Sequence, residues 1–185
     1  MKLSISKISL VVFSTLFVVA CGPTETPENG TTTGGTTGEV ITKERVVPPD
    51  FNADSAYAYT KYQADLGPRT PGSKAHAAAV KWMSEKLKGY GATVVVQDGV
   101  VTTCDQKKWN AKNVIASFNP DVKSRVMLSA HFDSRPFCDN DSLEANKNKS
   151  CPGVNDGASG VAVLIEIARN LAAKNTTIGI DIVLF

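Results

Sequence analysis

The sequence predicts an α/β fold: an open, twisted, mixed but mostly parallel sheet flanked by helices. Three observations predict it. Arg125–Ala130, an apolar stretch over 161–171 and Ile178–Phe185 read as strand, helix, strand, the unit that builds parallel sheet. Ahead of that unit, two segments between residues 54 and 88 repeat apolar side chains at helical spacing. Between the helical segments and the unit lie runs of strand character at 92–97, 100–103 and 113–118. A length of 185 residues and a hydrophobic content of 42% suit one globular domain.

The first twenty residues stand apart from the fold. Lys2 and Lys7 form a basic start, and Ile8–Ala20 is an apolar run too short for a membrane span, ending in small residues. That is the pattern of a signal peptide over residues 1–20. Its end, Val18-Val19-Ala20-Cys21, resembles the lipobox of bacterial lipoproteins. The resemblance implies a lipid on Cys21 and a place in the bacterial cell envelope, anchored to the membrane and facing periplasm or surface. Residues 21–48 read as a lipidated flexible linker, since Thr31-Thr-Thr-Gly-Gly-Thr-Thr-Gly38 has no apolar side chain with which to offset ordering entropy.

The folded part begins at about residue 49. Asn52 or Asp54 can cap a first helix with Ala56, Tyr59 and Leu66 among its apolar positions, and Gly67-Pro68 ends it. Ser73 caps a second helix, in which Ala79, Trp82, Met83 and Leu87 share a face. His76 in that helix reads as a surface or half-buried histidine, because nothing nearby offers a second metal ligand. Gly89 and Gly91 close the helix, and the strand runs follow, with Asn119-Pro120-Asp121 as a turn. Arg125–Ala130 reads as a buried strand that delivers His131 at its carboxyl end. A polar loop over 132–157 leads to a helix opened by Gly157 or Ser159. Ile178–Phe185 is apolar enough to be a central strand. Its abrupt close at Phe185 raises the expectation of a truncated domain, whose natural reading frame continued into the site. This exact polypeptide is then expected to fold poorly and to be inactive.

Charge and cysteines narrow the function. The net charge of +2 comes from Lys2 and Lys7, so the body beyond Cys21 is neutral, which gives no reason to expect a nucleic-acid partner. Export places the four cysteines in an oxidising compartment. Cys138 and Cys151 flank the polar loop, and a disulfide there would contribute roughly 3 kcal/mol in the chain-entropy model. Pairing of Cys104 with either one is the rival arrangement.

The chemistry gathers at the carboxyl ends of the strands, where open α/β sheets bind ligands. His131 and Asp133 share a face of an extended segment, so the carboxylate can orient the imidazole. Asp156 sits in the glycine-rich turn Asn155-Asp-Gly-Ala-Ser-Gly160 before the helix. Nitrogen and oxygen ligands of this kind suit zinc. Arg135 either contacts substrate or pairs with Asp139 or Asp141.

The combination resembles the zinc exopeptidase family that contains bacterial aminopeptidases and glutaminyl cyclases. The likeness runs from Leu66-Gly-Pro-Arg-Thr-Pro-Gly-Ser73 through Ala130-His-Phe-Asp-Ser134 and Asn155-Asp-Gly-Ala-Ser-Gly160 to Phe185. It implies a zinc aminopeptidase-like fold, with Asp156 and His131 as metal ligands and Asp133 as the catalytic-site carboxylate that supports His131. Asp133-Ser-Arg-Pro-Phe137 and Gly179-Ile-Asp-Ile-Val183 are more like the bacterial glutaminyl cyclases. That implies one zinc, peptide or protein N-termini as substrates, and conversion of N-terminal glutamine to pyroglutamate with release of ammonia. The aminopeptidase alternative implies two zincs. A third reading is a truncated, non-catalytic surface lipoprotein.

Overall fold

The structure, a computed structural model, describes residues 47–174 and 176–185. The expected signal peptide, Cys21 and nearly all of the linker lie outside the described residues.

Helix α1 spans Ala53–Asp65. Asn52 is its cap: the side-chain oxygen accepts from the Ser55 amide at 2.8 Å, while Asp54 lies in the first turn, where the helix dipole favours an acid. Helix α2 spans Lys74–Gly89. Ser73 caps it, accepting from the His76 amide at 3.0 Å. Strand β1 is Thr93–Thr102, so the two short runs expected there are one strand. Gly99 does not break it, because it keeps register with Ala111 of strand β2, Lys108–Phe118. Strand β3 is Arg125–Ala130, helix α3 is Gly160–Ala173 and strand β4 is Gly179–Leu184.

The sheet order is β1-β2-β4-β3. The α/β class, the open mixed sheet and the β3-α3-β4 crossover agree with the sequence reading. The balance of pairings does not: β3–β4 is parallel, whereas β1–β2 and β2–β4 are antiparallel. Parallel neighbours need a long crossover, and α3 is the one α-helix lying between described strands. The short turns at 103–107 and 119–124 reverse the chain instead. β3 is also not the buried strand expected. Among the described strands it lies at the sheet edge, with Met127 68% exposed, and β4 takes the central place.

Helices α2 and α3 pack on the sheet face that carries Val114, Ala116 and Phe118 from β2 and Ile180, Ile182 and Leu184 from β4. Met83 and Leu87 from α2 and Val161, Ile165 and Ala168 from α3 complete this core. A fully buried Leu or Met of this kind is worth roughly 1.5–3 kcal/mol of hydrophobic transfer. The opposite face is polar where Ser117 and Asp181 meet the Arg125 guanidinium, which grips the Asp181 carboxylate at 2.6 and 2.8 Å. That grip holds the Asp181 carboxyl below the usual aspartate range, and the Ser117 hydroxyl assists. Glu166 is wholly buried on α3. It is paired with Arg169 at 2.6 Å and accepts from the Asn52 amide at 2.8 Å, which ties α3 to the start of α1.

His76 is buried rather than at the surface, 2% exposed, with its ring 4.9 Å from that of Phe132. The inner face of α2 presses it against the strand end. Burial pushes its pKa below the ordinary histidine value, against the pull of Asp133.

Candidate metal centre

The parallel pairing of β3 with β4 continues past the strand ends. The Phe185 amide donates to Ala130 O at 3.1 Å, and the Phe132 amide donates to Phe185 O at 2.8 Å. These bonds fix the backbone on either side of His131. Phe132 points into the core and is wholly buried, so the side chains of His131 and Asp133 are turned out together.

The imidazole of His131 is held at both nitrogens. Nδ1 lies 3.1 Å from Asp133 Oδ1, and Nε2 lies 3.0 Å from Asp156 Oδ1. With Asp133 accepting from Nδ1–H, Nε2 is the nitrogen left to a metal, and it is turned to Asp156. The three sequence-predicted residues therefore converge. His131 and Asp156 present one nitrogen and one oxygen to the same point, and Asp133 orients His131 from behind.

The turn before α3 makes this possible. Gly157 has φ +101°, and a Cβ there would lie 3.0 Å from Asp133 O and 3.2 Å from His131 Cε1. A side chain would thus meet the imidazole edge. Gly153 has φ +58°, and a Cβ there would lie 2.9 Å from Arg69 Nη2. Asp156 itself leaves helical geometry, with φ −83° and ψ 99°, and this break turns its carboxylate towards the strand ends. A pocket of about 410 Å³ opens here, lined by His131, Asp133, Ser134, Arg135, Cys151 and the 153–156 turn.

The chemistry of the donors suits zinc: a neutral imidazole nitrogen with its other nitrogen anchored, and an exposed carboxylate. Among the described residues no group of three or more His, Cys, Asp or Glu side chains converges, so two ligand atoms are what these residues supply. Arg135 does not reach over the metal point; its guanidinium is paired with Asp139 at 2.6 Å. Cys138 and Cys151 are joined, with Cα atoms 5.1 Å apart, and Cys104 is exposed and free. The disulfide closes the loop beside the pocket. Backbone bonds from Cys138 to Lys149 O at 2.8 Å and from Cys151 to Arg135 O at 3.0 Å brace the same loop.

Sequence reasoning passed over Arg69. It is wholly buried, and its guanidinium lies beneath the site. Burial pushes its pKa down, partly opposed by the Asp133 charge. The segment Gly67-Pro-Arg-Thr-Pro-Gly72 counts towards the family likeness, but its turn-rich composition gives Arg69 no role.

Comparison with known proteins finds relatives of the same fold. Residues 113–185 match the model of Peptidase family M28. The glutaminyl cyclase of Tannerella forsythia is 47% identical with a TM-score of 0.72, over 74% of this chain and 47% of that one. A Zn-dependent exopeptidase from Parabacteroides distasonis is 46% identical with a TM-score of 0.73, over the same shares. The glutaminyl-peptide cyclotransferase of Boiga irregularis is 28% identical over 115 residues, which are 60% of this chain and 30% of that protein. The chain thus spans about half the length of these solved structures and less of the curated relative. Its residues 113–185 match Peptidase family M28, and its described body carries part of the α/β fold shared by bacterial glutaminyl cyclases and zinc-dependent exopeptidases.

Proposed function

We propose that this protein is a zinc-dependent glutaminyl-peptide cyclotransferase, which closes an N-terminal glutamine into pyroglutamate and releases ammonia. The observation that carries the reading is the convergence of His131 Nε2 and Asp156 Oδ1 at 3.0 Å, on a fold 47% identical to a bacterial glutaminyl cyclase. Zinc, when bound, supplies Lewis-acid polarisation of a carbonyl oxygen. His131 and Asp156 would hold it. Asp133 keeps the His131 lone pair aimed at it by accepting from Nδ1–H. The pocket beside them receives the peptide N-terminus, and the disulfide-closed loop shapes its wall.

Two ligand atoms are one short of the three that a catalytic zinc ordinarily takes from protein. The described residues alone are therefore expected to turn over little substrate. Aminopeptidase activity is the second reading, favoured by the similarity to the exopeptidase of Parabacteroides distasonis. The products separate the two. Ammonia with a ring-closed peptide means cyclase, and a free amino acid means peptidase. The assay belongs on the protein as it occurs in its source cell, with a glutaminyl peptide as substrate. Neither product would refute both readings.

We infer the site in the cell from the N-terminal sequence. Lipid on Cys21 would anchor the protein to the envelope membrane through the polar linker and leave the pocket facing peptide N-termini. No described helix is long and apolar enough to cross a membrane. Mass spectrometry of the purified N-terminus tests the anchor: diacylglycerol on Cys21 supports it, and an unmodified Cys21 in the mature protein overturns it.

A further inference from the structure

Arg69 is wholly buried, and none of its guanidinium nitrogens lies within salt-bridge distance of a described carboxylate. Such burial is costly unless each donor finds an acceptor. Here each nitrogen does, and every acceptor is backbone. Nε donates to Phe132 O at 2.9 Å. Nη1 donates to Gln63 O, Gly67 O and Pro152 O at 3.0, 3.2 and 3.1 Å. Nη2 donates to Gly153 O at 2.6 Å. The Arg69 carbonyl in turn accepts from the Ser134 amide at 3.3 Å. Three chain segments meet on this one side chain: the end of α1, the residues on both sides of Asp133, and the turn that leads to Asp156.

An apolar residue of similar volume would avoid the desolvation cost and leave those carbonyls unpaired. What it could not do is fix the distance between two loops. Phe132 lies directly between His131 and Asp133, and Gly153 opens the turn that carries Asp156. We infer that Arg69 is the positioning residue of the metal centre: its forked guanidinium sets the separation of His131 from Asp156 by bridging Phe132 O to Gly153 O. The absent side chain at Gly153 belongs to the same device, since a Cβ there would crowd Nη2 at 2.9 Å. A lysine keeps the charge but presents one nitrogen, and it cannot span both carbonyls. This inference rests on the zinc reading for its consequence, and on the geometry alone for its mechanism.

The test uses the full chain, wild type and R69K, with R125M as a control that breaks the Arg125–Asp181 grip at the far end of β3. The chain has two histidines, so the ring nitrogens of His131 can be assigned by difference. Two readouts are taken: the imidazole nitrogen resonances of His131 without metal, and zinc affinity by competition with a chromophoric chelator. Wild type and R125M are expected to show the same single set of His131 ring-nitrogen resonances. R69K is expected to show averaged ring nitrogens and zinc affinity weaker by about 10–100-fold, the usual effect of losing a group that orients a ligand. R125M is expected to leave zinc affinity within about twofold, because it touches no group that orients a ligand. Unchanged His131 resonances in R69K would overturn the inference, as would equal effects of R69K and R125M. If wild type binds no zinc, the functional reading fails, while the imidazole spectra still decide the role of Arg69. Should R69K not fold, R69Q, which can reach one loop carbonyl but not both, is read by the same spectra.

Discussion

Replacing Gly157 by alanine perturbs the candidate site through backbone strain and one added methyl group. Gly157 sits at φ +101°, ψ −64°, close to the strained three-residue turn that L-residues rarely adopt. Holding an alanine there costs about 1–3 kcal/mol in backbone strain. The new methyl would also lie 3.0 Å from Asp133 O and 3.2 Å from His131 Cε1. Overpacking of that kind costs about 1–3 kcal/mol, and the His131 ring is the softer of the two neighbours. The effects overlap because one backbone shift relieves both, so a loss of about 3 kcal/mol is expected from the strain and overpacking ranges together. That is a large part of the roughly 5–15 kcal/mol that a domain has. Urea unfolding of wild type and Gly157→Ala gives the number, and zinc competition gives the displacement of His131 as an affinity loss of about tenfold or more. A stability loss under about 1 kcal/mol with unchanged zinc affinity would refute both the strained turn and its role beside the imidazole.

Other outcomes follow from the same structure. Asp133→Asn should weaken zinc binding by about 10–100-fold with little change in melting temperature, since its carboxylate is half exposed and bonded to His131 alone; an unchanged affinity would contradict the orienting role. The Asp181 carboxyl is held below its ordinary 3.8 by Arg125, so its contribution is complete above that pH and is lost as pH falls through the depressed folded value. Asp181→Asn should therefore flatten the acid side of the stability–pH curve, and a curve identical to wild type below pH 4 would count against the grip (about the range where aspartates titrate). His76, buried with a depressed pKa, works in the adjoining window: stability should fall as pH drops below the ordinary 6.5, and His76→Phe should remove that step.

Much of the fold was legible because its signals are local. The caps at Asn52 and Ser73, the apolar face of α2, the mostly apolar α3 and the unbroken run of β4 each follow from spacing or a single capping side chain. What escaped was set by partners distant in sequence. β1 and β2 are longer than their apolar runs because each continues pairing with the other through polar positions such as Asp98 and Lys112. β3 reads as buried, but a strand with a neighbour on one side exposes Met127 whatever its composition. His76 carries no mark of burial either, since the face of α2 that meets Phe132 is decided by the packing of the whole helix. At the site, His131, Asp133 and Asp156 were visible because residue type and spacing carry their chemistry. Arg69 was not, because its role lies entirely in backbone carbonyls brought to it by folding.

The most direct measurement is a zinc titration of the purified chain alongside His131→Ala and Asp156→Asn. Zinc is expected to bind the wild type, and each substitution is expected to weaken that binding by at least about tenfold, as loss of one of few ligands requires. Zinc binding that neither substitution changes would contradict the placement of the metal between His131 and Asp156.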